Sequence, residues 1–337
     1  MKQNRLRGPK TNGFTLVELL VAMAVSSIVA SSIFMAYKAQ QISYVNQEQV
    51  AVMQQNLRAA MYFMERELRM AGFDETGSAG AGIQTAGPNS IRFAMDTTGG
   101  ESDGIDNDED GIVDEDSDGI DNDGDGFTDE TDERDEFRFG DGVLDDINED
   151  ITYSLFDIDG DGDNDLRRQD AAIPPADPAL PEEEFVAENV QAIGFAYAFD
   201  ANGDGDLDTY NAGGNEVVIW AIDSDGDNDL DTNLDTDGDG DIDPQDGPGT
   251  GNNGPIAGQA LADFGGTAIA DVPLEDIRQV RIWMLVRPAR KDRKFVNNHT
   301  YVVGNQVITP STDGDSETTN RRMRLSETEI KCRNMGI

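Results

Sequence analysis

Between Phe14 and Tyr37 the chain runs for 24 residues with a single charge, Glu18. As a helix rising 1.5 Å per residue, such a run spans the roughly 30 Å hydrocarbon core of a bilayer. The residues before it carry Lys2, Arg5, Arg7 and Lys10 and no acid, which predicts that this end stays in the cytoplasm. An ordinary secretory signal places its small-residue cleavage site after the apolar core. Here the core begins directly after Gly13, so a cut between Gly13 and Phe14 would discard the basic leader and keep the apolar segment. An uncleaved signal anchor is the alternative.

Glu18 constrains the segment further. A carboxylate in an apolar helix costs about 2.5–3.5 kcal/mol on insertion scales, and no Lys or Arg lies within the span. It needs a partner, or it must snorkel toward the headgroups from its place near the helix end. Beyond the span, Met53, Leu57, Met61, Met64 and Leu68 recur at helical spacing, with Arg58, Glu65, Arg66, Glu67 and Arg69 off the apolar face. Gly72 is a plausible stop. A helix from Phe14 to Ala71 would be about 87 Å long, transmembrane over 14–37 and amphipathic over 38–71, its second half packing on a head.

Charge decides what such a head can bind. Acidic residues number 68 against 25 basic ones, a net charge of -43. Phosphates would be repelled, so no nucleic-acid partner is expected. The excess favours a cation or a solvating surface. With one cysteine, Cys332, and one histidine, His299, there is no internal disulfide and no zinc-type cluster. His299 is expected at the surface beside a strand. No GxSxG elbow, P-loop or HExxH occurs, so no catalytic residues are assigned and the chain is not expected to be an enzyme.

The acids are patterned. Residues 102–116 read SDGIDNDEDGIVDED and residues 117–131 read SDGIDNDGDGFTDET, with 11 identities. Within them the spacing is D-x-D-x-D-G-x-x-D: Asp106, Asp108, Asp110 and Asp114, then Asp121, Asp123, Asp125 and Asp129. It returns at Asp157, Asp159, Asp161 and Asp165, and with an Asn at Asp200, Asn202, Asp204 and Asp208. It lacks the glycine at Asp223, Asp225, Asp227 and Asp231. A last copy is Asp235, Asp237, Asp239 and Asp243. Repeats therefore cover 102–132, 157–165, 200–208 and 223–246.

Calcium takes six to eight oxygens at about 2.3–2.6 Å. A loop wrapped around the ion aims positions 1, 3 and 5 inward, turns sharply at a glycine in position 6, and continues through positions 7 and 9. Only two copies carry an acid at position 12, Asp132 and Asp246. The others resemble the loops of dockerins and thrombospondin type 3 repeats more than full EF-hands. A disordered acidic linker is the competing reading, but a linker needs no glycine at a fixed place. Two carboxylates about 4 Å apart repel by about 4 kcal/mol at an effective dielectric of 20, so compact loops are expected to depend on Ca2+ at several sites.

Three apolar, β-branched and aromatic runs lead straight into acidic loops: Ile151–Phe156, Ile193–Phe199 and Val217–Ile222. They read as strands whose connections the metal would pin. Ile277–Arg287 is the strongest strand, with Val280, Ile282, Met284 and Val286 alternating against Arg281, Trp283, Leu285 and Arg287, and its second face is expected to be half covered. Short strands are also expected at 91–95, 301–309 and 322–330. The fold class is α+β: one long N-terminal helix on an antiparallel sheet, with acidic loops inserted.

The string Gly13-Phe14-Thr15-Leu16-Val17-Glu18-Leu19-Leu20 resembles the cleavage motif of type IV prepilins and type II secretion pseudopilins. The resemblance implies that a prepilin peptidase cuts after Gly13 and that Phe14 becomes an N-methylated terminus. It also implies that Glu18 meets the Phe14 amine of its own or a neighbouring subunit. Together with AVMQQNLRAAMYFMERELRMAGFD at 51–74 and IRQVRIWMLVRPAR at 277–290, the order of segments is similar to PilW-type minor pilins, related to J-type minor pseudopilins. The family implies a leader at 1–13, a helix at 14–71 and a head at 72–337, anchored once in the bacterial inner membrane, outside the cytoplasm, then carried in a filament at the cell surface. Implied partners are other minor and major pilins, the prepilin peptidase/N-methyltransferase and the inner-membrane assembly platform. The implied role is structural: priming assembly at or near the tip. A bulky head favours a minor over a major subunit. A minor pseudopilin of type II secretion and a calcium-dependent tip adhesin acting in cell adhesion are the alternatives.

Overall fold

A computed structural model describes residues 13–97, 140, 142–144, 146–158, 160, 163–171, 183–248, 253–263, 271–312 and 316–335. The chain divides into two compact units, Met1–Ala51 and Val52–Ile337. Helix α1, Leu16–Leu68, starts in the first and ends in the second. Its start is written in the sequence as a T-x-x-E capping box. The Thr15 hydroxyl accepts the Glu18 amide at 3.2 Å, and the Glu18 carboxylate accepts the Thr15 amide at 2.8 Å.

Within the second unit, α1 buries Met53, Leu57, Ala60, Met61, Met64 and Leu68 on one stripe. Burying each large apolar side chain contributes about 1.5–3 kcal/mol, which outweighs the modest helix propensity of the polar positions between them. The helix gives way to a turn at 69–72. There Gly72 adopts φ 79°, a conformation that only glycine takes without strain, and its amide donates to the Ala94 carbonyl at 3.0 Å.

Strands β1 (Gly82–Ala86), β2 (Ile91–Ala94), β3 (Asp150–Phe156), β4 (Asp165–Asp170) and β5 (Glu183–Ala187) form an antiparallel meander in that order. The chain continues through β6 (Val190–Phe199), β7 (Thr209–Ala212), β8 (Asn215–Val218), β9 (Ala221–Ile222), β10 (Asp229–Leu230), β11 (Thr232–Asn233), β12 (Gly254–Pro255), β13 (Gln259–Ala260), β14 (Val272–Pro273), β15 (Ile277–Val286), β16 (Tyr301–Val303) and β17 (Gln306–Ile308). The short helix α2 (Ser316–Thr319) precedes β18 (Arg324–Lys331). The main sheet runs β13-β11-β9-β6-β15-β18, and β7 with β8 makes a separate hairpin. One long N-terminal helix with several antiparallel sheets makes this an α+β protein.

Three sequence expectations change. The stretch 301–309 is not one strand but the β16–β17 hairpin, turning at Gly304 with φ 57°. The run Val217–Ile222 is not one strand. Its first part pairs with β7, its second with β6 and β11, and Ile219 and Trp220 turn the corner between them, both buried. The second face of β15 is fully covered rather than half covered. Trp283 and Leu285 lie in one core cluster with Trp220, Leu234, Ile242 and Val303. The Arg281 guanidinium is tolerated there because it pairs with Glu327 and stacks over the Trp220 and Trp283 rings.

A buried charge ties α1 to the meander. Glu67 accepts from the Tyr153 hydroxyl at 2.5 Å and from Arg168 Nε at 3.1 Å, while Arg168 also donates to Asn148 at 2.7 Å. Burial and the Glu67 charge push the Tyr153 phenol well up, so it stays a donor. Removing one partner of such a pair costs about 3–5 kcal/mol because the other charge is stranded.

Candidate metal centres and N-terminal processing site

The acidic loops share one backbone cage. In each of the three copies that begin at Asp200, Asp223 and Asp235, the first Asp folds its carboxylate back over the loop and accepts amides three and five residues on. Asp200 accepts from Gly203 at 2.8 Å and Gly205 at 2.9 Å. Asp223 accepts from Gly226 at 2.6 Å and Asn228 at 3.0 Å. Asp235 accepts from Gly238 at 2.7 Å and Gly240 at 2.9 Å. These three first acids are 4%, 3% and 0% exposed, so they are anchors of the fold as well as candidate ligands.

The spacing of the acids points to glycine at position 6 and is silent about position 4. Both positions lie in the left-handed region. At position 4 stand Gly203, Gly226 and Gly238, with φ of 70°, 83° and 79°. At position 6 stand Gly205 and Gly240, and in the copy without glycine Asn228 takes φ 72°. Asn is the non-glycine residue that visits this region most readily. The signal that could have found position 4 is the string D-x-[DN]-G-D-[GN].

Closure differs between copies. A downstream carboxylate accepts the amide of position 2: Asp208 from Ala201 at 2.8 Å, Asp231 from Ser224 at 3.3 Å, and Asp246 from Thr236 at 2.6 Å. The closer is thus position 9 in two loops and position 12 in the third, where Asp243 instead accepts from the Gln245 amide.

Among the described residues, two groups bring carboxylate oxygens within 4.8 Å of one another: Asp223 with Asp225 and Asp227, and Asp235 with Asp237 and Asp246. Partial desolvation and the neighbouring Asp227 carboxylate hold Asp225 above the ordinary Asp range. Desolvation, then Asp239, Asp246 and Asp235, do the same for Asp237. Asp231, whose Oδ2 accepts the Ser224 amide, has its Oδ1 buried without a hydrogen-bond partner. These are all-oxygen sites of like charge, the donor set of a hard cation.

The other candidates are placed differently. Asn202 turns its amide nitrogen to Asp208 at 3.0 Å and its oxygen to the Asp204 amide at 2.9 Å, so the Asp200 loop is held by hydrogen bonds. Asp157 accepts the Gly160 amide at 2.8 Å. Asp165 accepts the Asn189 amide at 3.0 Å and Asp163 pairs with Arg287, which ties that segment to neighbouring backbone and to the residue after β15. Asp159 and Asp161 lie outside the described residues, as do Asp106, Asp108, Asp110, Asp114, Asp121, Asp123, Asp125, Asp129 and Asp132.

At the N-terminus Gly13 is exposed, with open space where a Cβ would stand, and Phe14 is exposed beside it. Before any cut the Phe14 nitrogen is an amide and offers no cation, and the Glu18 carboxylate is engaged with Thr15. Helix α1 is long and apolar enough to cross a membrane, and its apolar window is wholly unburied. His299 is exposed next to β16. Cys332 is buried and its thiol is pushed up to about 12 by desolvation, which leaves it unreactive.

Residues 8–34 match the family described as the prokaryotic N-terminal methylation motif. No curated protein and no solved structure matches the chain.

Proposed function

We propose that this chain, which carries the N-terminal methylation motif of a type IV pilin-like prepilin, is a structural minor pilin with a calcium-stabilised head. The motif at residues 8–34 carries the reading. It implies cleavage by a prepilin peptidase and assembly with other pilins, and the apolar part of α1 is consistent with single-pass anchoring in the inner membrane. The head then lies outside the cytoplasm, and the mature subunit joins a filament at or near its tip, where a bulky head need not repeat along a shaft. No reaction is assigned to it.

Two acidic groups support calcium binding. Asp223, Asp225 and Asp227 would hold one ion, and Asp235, Asp237 and Asp246 another. Asp231 Oδ1, buried without a partner, fits a ligand atom better than a solvated acid. The ion supplies positive charge to carboxylates that otherwise repel each other.

The two halves are tested separately. Gly13→Val should abolish maturation, read by sequencing the N-terminus of the protein from cells. Because a side chain at residue 13 meets open space, lost cleavage reports on the peptidase and not on misfolding. Normal cleavage of the variant would sink the prepilin half. For calcium, the full-length protein in detergent is melted with chelator and with the ion in excess. One site at a hundredfold excess over its Kd stabilises by about 2.7 kcal/mol. An unchanged melting temperature would remove calcium and leave the prepilin assignment standing.

A further inference from the structure

In a protein of net charge -43, the end of α1, the turn after it and the C-terminal Arg333 carry cations that no acid among the described residues pairs, Arg69 apart. Tyr62, Arg66, Arg69 and Phe73 succeed one another at spacings of four, three and four, on a stripe distinct from the buried one. Asn334 walls this stripe. Its side-chain amide donates to the Met70 carbonyl at 3.3 Å and to the Arg69 carbonyl at 3.5 Å, which fixes the neighbouring Arg333 alongside. Together with Met70 and one acid, Glu65, these residues line a groove of about 760 Å³, three arginines to one carboxylate. Arg69 pairs with Glu65. Arg66 and Arg333 are exposed and have no acidic partner among the described residues. Tyr62 is 63% exposed on the same groove.

We propose that this groove docks an acidic peptide segment presented by a neighbouring subunit; the idea rests on the filament reading above. Charge complementarity selects the occupant. Two exposed guanidinium forks without an acidic partner among the described residues match carboxylates bidentately, and complementary charge draws an acidic segment to them. The tyrosine and phenylalanine rings add apolar wall, the aromatic-plus-arginine composition of interface hot spots. The shallow groove, with Asn334 along one side, can receive an extended chain segment; docking on a bilayer is the competing outcome that the test separates.

The test uses the full-length protein in detergent micelles and a labelled peptide of alternating Glu and Leu, monitored by fluorescence anisotropy. Binding should weaken about tenfold or more in Arg66→Glu/Arg333→Glu. It should weaken less in Arg66→Gln/Arg333→Gln, which keeps the result readable should charge reversal disturb folding. Raising ionic strength from about 0.05 M to about 0.5 M should weaken it as well. Equal binding by wild type and both variants overturns the proposal. So does binding to phosphatidylglycerol vesicles with none to the peptide. The N-terminus of the same preparations is sequenced: a chain cut after Gly13 that ignores the peptide overturns the groove alone, whereas an uncut chain overturns the filament reading itself.

Discussion

The Asp223 and Asp235 loops begin alike and end differently. In both, a buried first acid accepts the amides three and five residues on, and the two left-handed residues at positions 4 and 6 let the backbone curl round it. The Asp223 loop closes after nine residues through Asp231, whose other oxygen is buried without a partner. The Asp235 loop closes after twelve through Asp246, which accepts from Thr236, Asp237 and Asp243. It also leans on the β7–β8 hairpin, since the Tyr210 hydroxyl donates to Asp235 at 2.9 Å. The repeated spacing therefore encodes the backbone cage, and residues downstream of the cage decide which acid closes it. The closing acid of the Asp235 loop has both oxygens hydrogen-bonded, whereas that of the Asp223 loop keeps one buried oxygen without a bond.

The sharpest way to break this comparison is to remove the first acids. Asp235→Ala strands two loop amides and a tyrosine hydroxyl around a fully buried position, and should cost about 3 kcal/mol in metal-free protein. Asp223→Ala strands two amides and should cost about 2 kcal/mol. Denaturant melts in chelator measure both. Equal, negligible losses would mean that the first acids are surface ligands and not anchors.

Acidity should separate the metal-free and metal-bound states. Asp225 and Asp237 are held above the ordinary Asp value. A raised acid favours the folded metal-free loop below the unfolded-state pKa, near 4, and that stability is lost as pH rises through the raised value. Ion binding reverses the sign, because ligands must shed their protons. Calcium affinity measured by titration calorimetry should be weaker near pH 4.5 than at pH 7. Affinity that does not move across this range would exclude these two carboxylates as ligands.

Position 6 sharpens the comparison further. Asn228→Gly should be neutral or slightly stabilising, while Asn228→Ala should cost about 1 kcal/mol, because Ala tolerates φ 72° poorly. The corresponding Gly240→Ala should cost more, since φ is 95° and a Cβ would come within 3.3 Å of Val217 Cγ1. A harmless Gly240→Ala would show that the Asp235 loop is looser than its hydrogen bonds suggest.

Periodicity makes some of this legible and local chemistry conceals the rest. The stripe Met53 to Leu68 marks the buried face of α1 because helical spacing leaves a one-sided pattern. The period-2 run of β15 marks a strand for the same reason. It says little about the second face, where Arg281 looks solvent-bound in sequence and is in fact paired and stacked. Loop positions 1, 3 and 5 are visible as acids. Glycine at position 4 is visible too once the copies are aligned, but the acid spacing alone does not ask for it, and nothing in that spacing says that Asn228 takes the left-handed conformation in place of glycine. The Glu67–Arg168 pair joins residues about a hundred positions apart, and no spacing rule reaches that far. The charge of Glu18 draws the eye to the membrane, although Thr15 three residues earlier spells a helix cap.

Tyr210 gives the smallest effect and the most selective one. Burial and the bond to Asp235 push its phenol well above the ordinary tyrosine value, so it donates throughout the usual pH range. Tyr210→Phe keeps the ring that packs against Gly238 and deletes only that donor. Asp235 retains the Gly238 and Gly240 amides, so the cost should be about 0.5–1 kcal/mol, the net worth of one hydrogen bond. If the hairpin braces the Asp235 loop alone, calcium titration should show one weakened site and one unchanged site. Equal weakening of both would mean that the two loops act as a single unit, and the contrast between a braced and an unbraced loop would fail.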